Sequence, residues 1–196
     1  MNQGRPINTG GKTRGLEPFE IKRLIKIASV SSNPERNVML IRFMLFTCCR
    51  VSEALNVKVS DVYNGDYILP SVQFTKTKNK SPRIIPLNDN FKDDLLHYIN
   101  ALNLSANSPL FQSKKGGHMK PSSGSYLIKS LLNDAGLSDA KGSHCLRKSG
   151  LGMLVSNNVS LNTIIAISGH KDYSNLKYYL NSSIEKTSEA INTLNF

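Results

Sequence analysis

Between residues 67 and 87 the texture of this chain changes, and that change restricts the fold more than any other feature. Tyr67-Ile68-Leu69, Val72-Gln73-Phe74 and Arg83-Ile84-Ile85 are short β-prone triplets separated by Pro, Asn, Ser and Lys, the pattern of brief strands with polar connections. On either side, apolar residues recur at helical spacing. A helix is predicted from near Glu17, with Pro18 in its first turn and Ile21, Leu24, Ile25 and Ala28 on one face. Ser32 or Asn33 caps a second helix, whose run from Val38 to Phe46 is apolar enough to be buried. A short helix follows from Ser52 to Asn56. Asn88 or Asp89 opens one that ends near Leu102, and residues 122–135 form another. After Gly142, helices start near Leu146 and Leu161, with two more at 174–181 and 184–194. The expected fold is mainly α with a small antiparallel β-sheet, an α+β domain without internal repeats.

The 196 residues suit one globular domain with a full core, or a small domain plus tails. Lys and Arg outnumber Asp and Glu by 25 to 14, a formal charge of +11. That excess favours a polyanionic partner, because each neutralised phosphate releases condensed counterions; charge alone fits an ordinary basic protein equally well. Cys48, Cys49 and Cys145 are odd in number, and two are adjacent, which argues against a disulfide framework. Residues 1–14 are polar and basic, without the apolar stretch of a signal peptide. The run from Val38 to Phe46 contains Arg42 and is too short to span a bilayer. A reducing, cytoplasmic setting is expected, with no membrane association.

Three stretches carry candidate chemistry, and each has a bland alternative. In Thr47-Cys48-Cys49-Arg50-Val51-Ser52-Glu53-Ala54-Leu55, Arg50 and Glu53 share a helix face, so the carboxylate can buttress the guanidinium; a surface ion pair looks the same. In His144-Cys145-Leu146-Arg147, a His and an Arg one turn apart open a helix, where backbone N–H groups also favour an anion. In Gly169-His170, followed nine residues after the His by Tyr179, the tyrosine alone reads as packing.

Taken together and in this order, the stretches resemble the signature of the tyrosine recombinase, or phage integrase, family. The family's first box, Thr-Gly-x-Arg-x-Ser-Glu-x-Leu, is matched by Thr47 to Leu55 with Cys48 in place of Gly. Its His-x-Leu-Arg box is matched at 144–147. Its Leu-Gly-His box, with the nucleophilic Tyr nine residues on, is matched by Ser168-Gly169-His170 and Tyr179, with Ser168 in place of Leu. The resemblance covers roughly residues 16–182, and several polar positions in fixed order are more specific than any one motif. It also implies a lysine on a β-hairpin between the boxes. Lys76 within Thr75-Lys76-Thr77 is the preferred candidate, Lys78 the rival, and Lys80 less favoured.

The resemblance implies Arg50, Lys76, His144, Arg147, His170 and Tyr179 as catalytic residues, with Glu53 orienting Arg50. Tyr179 would attack phosphorus, leaving a 3′-phosphotyrosyl link and a free 5′-hydroxyl. Arg50 and Arg147 would clamp the scissile phosphate. Lys76 would protonate the leaving oxygen, and His144 and His170 would support proton transfer. Lys78, Lys80, Arg83 and Lys148 are candidate DNA contacts. Arg5, Lys12 and Arg14 are read either as further ones or as part of a disordered terminus. Tyr173 and Tyr178 are read as packing residues, and Asp61 as a solvated loop residue.

No cofactor or metal is expected, because the carboxylates are scattered and adjacent cysteines lack the usual two-residue ligand gap. The cysteines are expected to pack as small apolar side chains. The implied function is site-specific recombination of double-stranded DNA: integration and excision, inversion or resolution. A homotetramer on synapsed sites is implied, with an accessory DNA-bending or directionality protein as a further partner. Residues 1–15 read as a flexible basic arm, 16–182 as the catalytic domain, and 183–196 as a helical tail that docks on a neighbour or on its own domain. Most relatives carry a helical domain before the catalytic one; the start at Met1 favours a natural minimal recombinase over an excised piece. A topoisomerase-like relaxing activity, a module that binds without cutting, and an RNA-binding protein are the competing readings.

Overall fold

The computed structural model describes residues 13–75 and 82–169. Its helices are α1 (Pro18–Ser29), α2 (Pro34–Thr47), α3 (Val51–Leu55), α4 (Asp89–Ala101), α5 (Pro121–Asp134), α6 (His144–Ser156) and α7 (Leu161–Ser168), and its strands β1 (Ser71–Phe74) and β2 (Arg83–Pro86). Proline sits in the first turn of α1, α2 and α5, where its missing N–H costs nothing. Asn88 caps α4 by accepting a hydrogen bond from the Phe91 N–H at 2.8 Å, and Ser160 caps α7 through the Thr163 N–H. The sixth helix begins at His144, two residues earlier than the periodicity suggested. The two helices expected at 174–181 and 184–194 lie outside the described residues.

Of the three strand-like triplets, two form strands. β1 and β2 pair antiparallel, with Val72 opposite Ile85 and Phe74 opposite Arg83. Tyr67-Ile68-Leu69 folds back locally instead: Ile68 bridges Tyr63, and the Leu69 N–H donates to the Val62 carbonyl. Pro70, which has no N–H for a ladder, then ends the segment.

Phe43 of α2 anchors the main core. It is fully buried, with ring centroids of Phe111, Phe91 and Phe74 at 5.4, 6.1 and 6.3 Å, so α2, β1, α4 and the loop before α5 converge on it. A smaller cluster of Cys48, Leu151 and Ile164 seats α6 and α7 against the C-terminal end of α2. There Gly150 lets α6 approach closely: a Cβ on it would lie 2.5 Å from the Leu45 carbonyl oxygen and 2.7 Å from Cys48 Sγ. No helix among the described residues is long and apolar enough to cross a membrane.

Candidate active site

The site begins where α2 stops. Cys48 ends that helix in the left-handed region, with φ of 49°, and Arg50 is extended before α3 starts. The reversal brings the Glu53 carboxylate back over Arg50. Its Oε2 accepts the Arg50 backbone N–H at 2.8 Å, and its Oε1 accepts Arg50 Nη1 at 2.9 Å. A second guanidinium arrives from β2: Arg83 Nη2 donates to Oε2 at 2.6 Å and Nη1 to Oε1 at 3.1 Å. Side-chain exposure is 2% for Glu53, 5% for Arg83 and 18% for Arg50. An unpaired carboxylate at that depth would be heavily penalised, so the two forks are what make its burial tolerable. Burial pushes the Glu53 carboxyl up. The Arg83 hydrogen bonds, the Arg50 N–H and the two positive charges outweigh it and hold the group down at about 2.

Arg83 departs from the expectation of a DNA-facing residue. Its guanidinium is turned inward, lying 4.7 Å from the Phe74 ring centroid, and among the described residues its Nε is a buried donor without an acceptor. The reason is the two-residue period of a strand. Ile84 is 62% exposed while Arg83 and Ile85 are buried, so the fork shares a face with the core. Positions 83, 85 and 87 are the buried set, so Ile85 and Leu87 two and four residues on were the signal for this, obscured by the neighbouring lysines.

Arg147 projects from α6 and is 4% exposed. Its Nη1 donates to the Cys48 carbonyl at 2.7 Å and its Nη2 to the Ser168 carbonyl at 2.6 Å. It thus ties the ends of α2 and α7, and holds the turn through Gly169 (φ of 64°) that leads to His170. Cys48 and Ser168 are the two positions that depart from the recombinase pattern. Both serve Arg147 through backbone oxygens, which a change of side chain leaves in place. Burial lowers the proton affinity of Arg147, and repulsion from Arg50 and Arg83 lowers it further; a guanidinium remains charged all the same.

His144 is exposed at the first position of α6, one turn before Arg147, and Lys148 is half-buried on the same helix. Asp61 is exposed and accepts the Lys58 N–H. Lys76, Lys78, Lys80, His170, Tyr173, Tyr178 and Tyr179 lie outside the described residues, as do Arg5, Lys12 and residues 183–196.

At the end of the basic arm, Arg14 is engaged by carboxylates, bonding Glu20 at 2.7 Å and Asp139 at 2.6 Å. The Leu16 N–H donates to Ser149 Oγ at 2.7 Å, which fixes the chain to α6. All three cysteines are buried. Burial pushes the thiols of Cys48, Cys49 and Cys145 up to about 11, 12 and 12, so they remain protonated and unreactive. Among the described residues, no three His, Cys, Asp or Glu side chains are grouped to hold a metal.

The electrostatic consequence is a local excess. Three guanidiniums, Arg50, Arg83 and Arg147, meet one carboxylate here: Arg50 and Arg83 bond Glu53, and Arg147 feels the charges of all three. Such a group stabilises an anion, and fixed forks aimed at phosphoryl oxygens need no reorganisation as charge develops there.

The model of the phage integrase family matches residues 14–186. The chain is 28% identical over 165 residues to the tyrosine recombinase XerH of Campylobacter jejuni, covering 83% of this chain and 46% of that protein. It is 27% identical over 179 residues to a tyrosine recombinase of Pseudothermotoga lettingae, covering 91% and 60%. The chain thus spans about half the length of these relatives. Among solved structures, XerA recombinase superposes with a TM-score of 0.74 at 22% identity, covering 99% of this chain and 68% of that one. The catalytic domain of bacteriophage HP1 integrase gives 0.67 at 21% identity, covering 92% and 95%. XerH bound to its difH substrate gives 0.72 at 23% identity, covering 92% and 53%. The mainly helical fold with its two-stranded sheet is the fold of these catalytic domains.

Proposed function

Because the chain belongs to the phage integrase family, we propose that it is a site-specific DNA recombinase working through a 3′-phosphotyrosyl intermediate. The observation that carries this reading is the cluster of Arg50, Arg83 and Arg147 around the one Glu53 carboxylate. Its guanidiniums suit a phosphate whose non-bridging oxygens gain charge in the transition state.

In this reading Arg50 and Arg147 hold the scissile phosphate, and Glu53 keeps Arg50 in place. Tyr179 attacks phosphorus and displaces the 5′-oxygen, which takes its proton from Lys76 or Lys78; a second transesterification by a 5′-hydroxyl reverses the chemistry on a new partner. His144, at the mouth of α6, and His170 hydrogen-bond the phosphate and support proton transfer. Lys148 and the hairpin lysines meet the DNA backbone, which makes affinity steeply salt-dependent. Strand exchange needs four copies on two synapsed sites, with residues 183–196 docking between protomers and an accessory protein completing the grip. The setting is the cytoplasm, on the nucleoid.

The test is a nicked duplex, taken from DNA flanking the chain's own gene, which traps cleavage as an SDS-resistant protein–DNA adduct. The wild-type chain should form the adduct, and Tyr179→Phe should not. An adduct that survives in Tyr179→Phe would move the nucleophile. Binding without an adduct in the wild type would reduce the chain to a module that holds DNA without cutting it.

A further inference from the structure

Arg83 makes no contact with the phosphate in the mechanism just described, yet it touches two of the pieces that must be in register. Its fork binds both oxygens of Glu53, the carboxylate that also grips Arg50 by backbone and side chain. Its stem meets Gly169: a Cβ there would lie 3.4 Å from Arg83 Cδ and 3.5 Å from Nη1. Gly169 precedes His170, and its neighbour Ser168 supplies a carbonyl to Arg147. Arg83 also belongs to β2, the strand that follows the candidate lysines in the sequence, and it faces Phe74 across the ladder.

We propose that Arg83 is a positioning residue for phosphoryl transfer: through Glu53 it fixes the Arg50 guanidinium, and through its packing on Gly169 it keeps the end of α7, where the Ser168 carbonyl holds Arg147, in register with Arg50. It never touches DNA. A planar fork is needed for this, because two parallel N–H donors fix the rotation of the carboxylate plane, which an ammonium does not. A group acting in this way affects the chemical step and leaves binding alone. A DNA-contacting arginine would instead change affinity and its salt dependence.

The inference rests on the recombinase reading, and the experiment separates the two. The full chain, Arg83→Lys and Arg83→Met are compared on the nicked duplex. Three quantities are measured: affinity for the duplex, the first-order rate of adduct formation at saturating protein, and the thermal melt. Arg83→Lys keeps charge and stem, so it remains informative if Arg83→Met fails to fold. In folded Arg83→Lys the saturated rate should fall by about 10- to 100-fold, the scale set by small misplacements of catalytic groups, while affinity stays within about threefold of wild type. The rate loss should persist at temperatures well below the melt of the variant.

A saturated rate within twofold of wild type in folded Arg83→Lys overturns the proposal. A tenfold loss of affinity with an unchanged saturated rate also overturns it, and makes Arg83 a DNA contact. No adduct from the wild type overturns the recombinase reading, and this inference with it.

Discussion

Gly150→Ala adds one methyl group where α6 crosses the end of α2. The new Cβ would sit 2.5 Å from the Leu45 carbonyl oxygen, against 3.4 Å for an ordinary contact, and 2.7 Å from Cys48 Sγ. One obstacle is backbone, so relief requires the two helices to part by about 0.9 Å, the difference between those distances. Overpacking of this kind costs about 1–3 kcal/mol. Replacing Gly by Ala inside a helix returns about 1 kcal/mol, leaving a net loss of up to about 2 kcal/mol. For a chain of this size that lowers the thermal midpoint by up to about 8 °C, at about 2–4 °C per kcal/mol.

The larger effect falls on Arg147, whose hydrogen bond to the Cys48 carbonyl spans the same interface at 2.7 Å. Parting along that line by 0.9 Å takes it beyond hydrogen-bond length. The guanidinium would then reorient, and adduct formation should fall by about 100-fold. Circular dichroism melts and the nicked-duplex assay measure the two effects separately. A midpoint that rises, with the adduct rate unchanged, would mean that helix propensity alone governs the position and that the close crossing is not what aims Arg147.

Glu53 makes stability depend on acid pH. Its folded value lies near 2, below the ordinary carboxylate value of 4.5, so the unfolded chain binds the proton more readily. The stabilisation is complete above about 4.5 and is lost as pH falls towards 2, on the order of 3 kcal/mol; urea melts from pH 6 to 2.5 should show it, and Glu53→Gln should flatten it. With their thiols held near 11 to 12 by burial, Cys48, Cys49 and Cys145 should resist a thiol-specific disulfide reagent at pH 8 until denaturant is added. Rapid labelling in the folded chain would show that this region opens. Ser149→Ala removes the hydroxyl that accepts the Leu16 N–H at 2.7 Å, and leaving that buried donor unpaired should cost about 1–3 kcal/mol. Proteolysis near residues 13–16 should quicken in step.

Much of the fold was legible in the residues. Proline in the first turn of α1, Asn88 at the start of α4, and apolar spacing on α1 are local signals, and both elements formed close to where they place them. The recombinase boxes were legible for the same reason: fixed side chains at fixed short spacings. Arg50 and Glu53 needed only one helical turn to meet.

What the sequence could not carry is partnership across long separations. Arg83 reaches Glu53 over 30 positions, and Arg147 reaches the Cys48 carbonyl over 99 and the Ser168 carbonyl over 21. Any residue except proline offers the same carbonyl and N–H, so nothing in the identity of Cys48 or Ser168 announces the contact. The inward turn of Arg83 depends on which face of a two-residue alternation meets the core, and that was settled when β1 and β2 paired and packed beneath Phe43. The sequence by itself determined which charged groups the site contains. The tertiary structure decided which of them are spent on one another, because burial forces a carboxylate to take its partners wherever the fold delivers them.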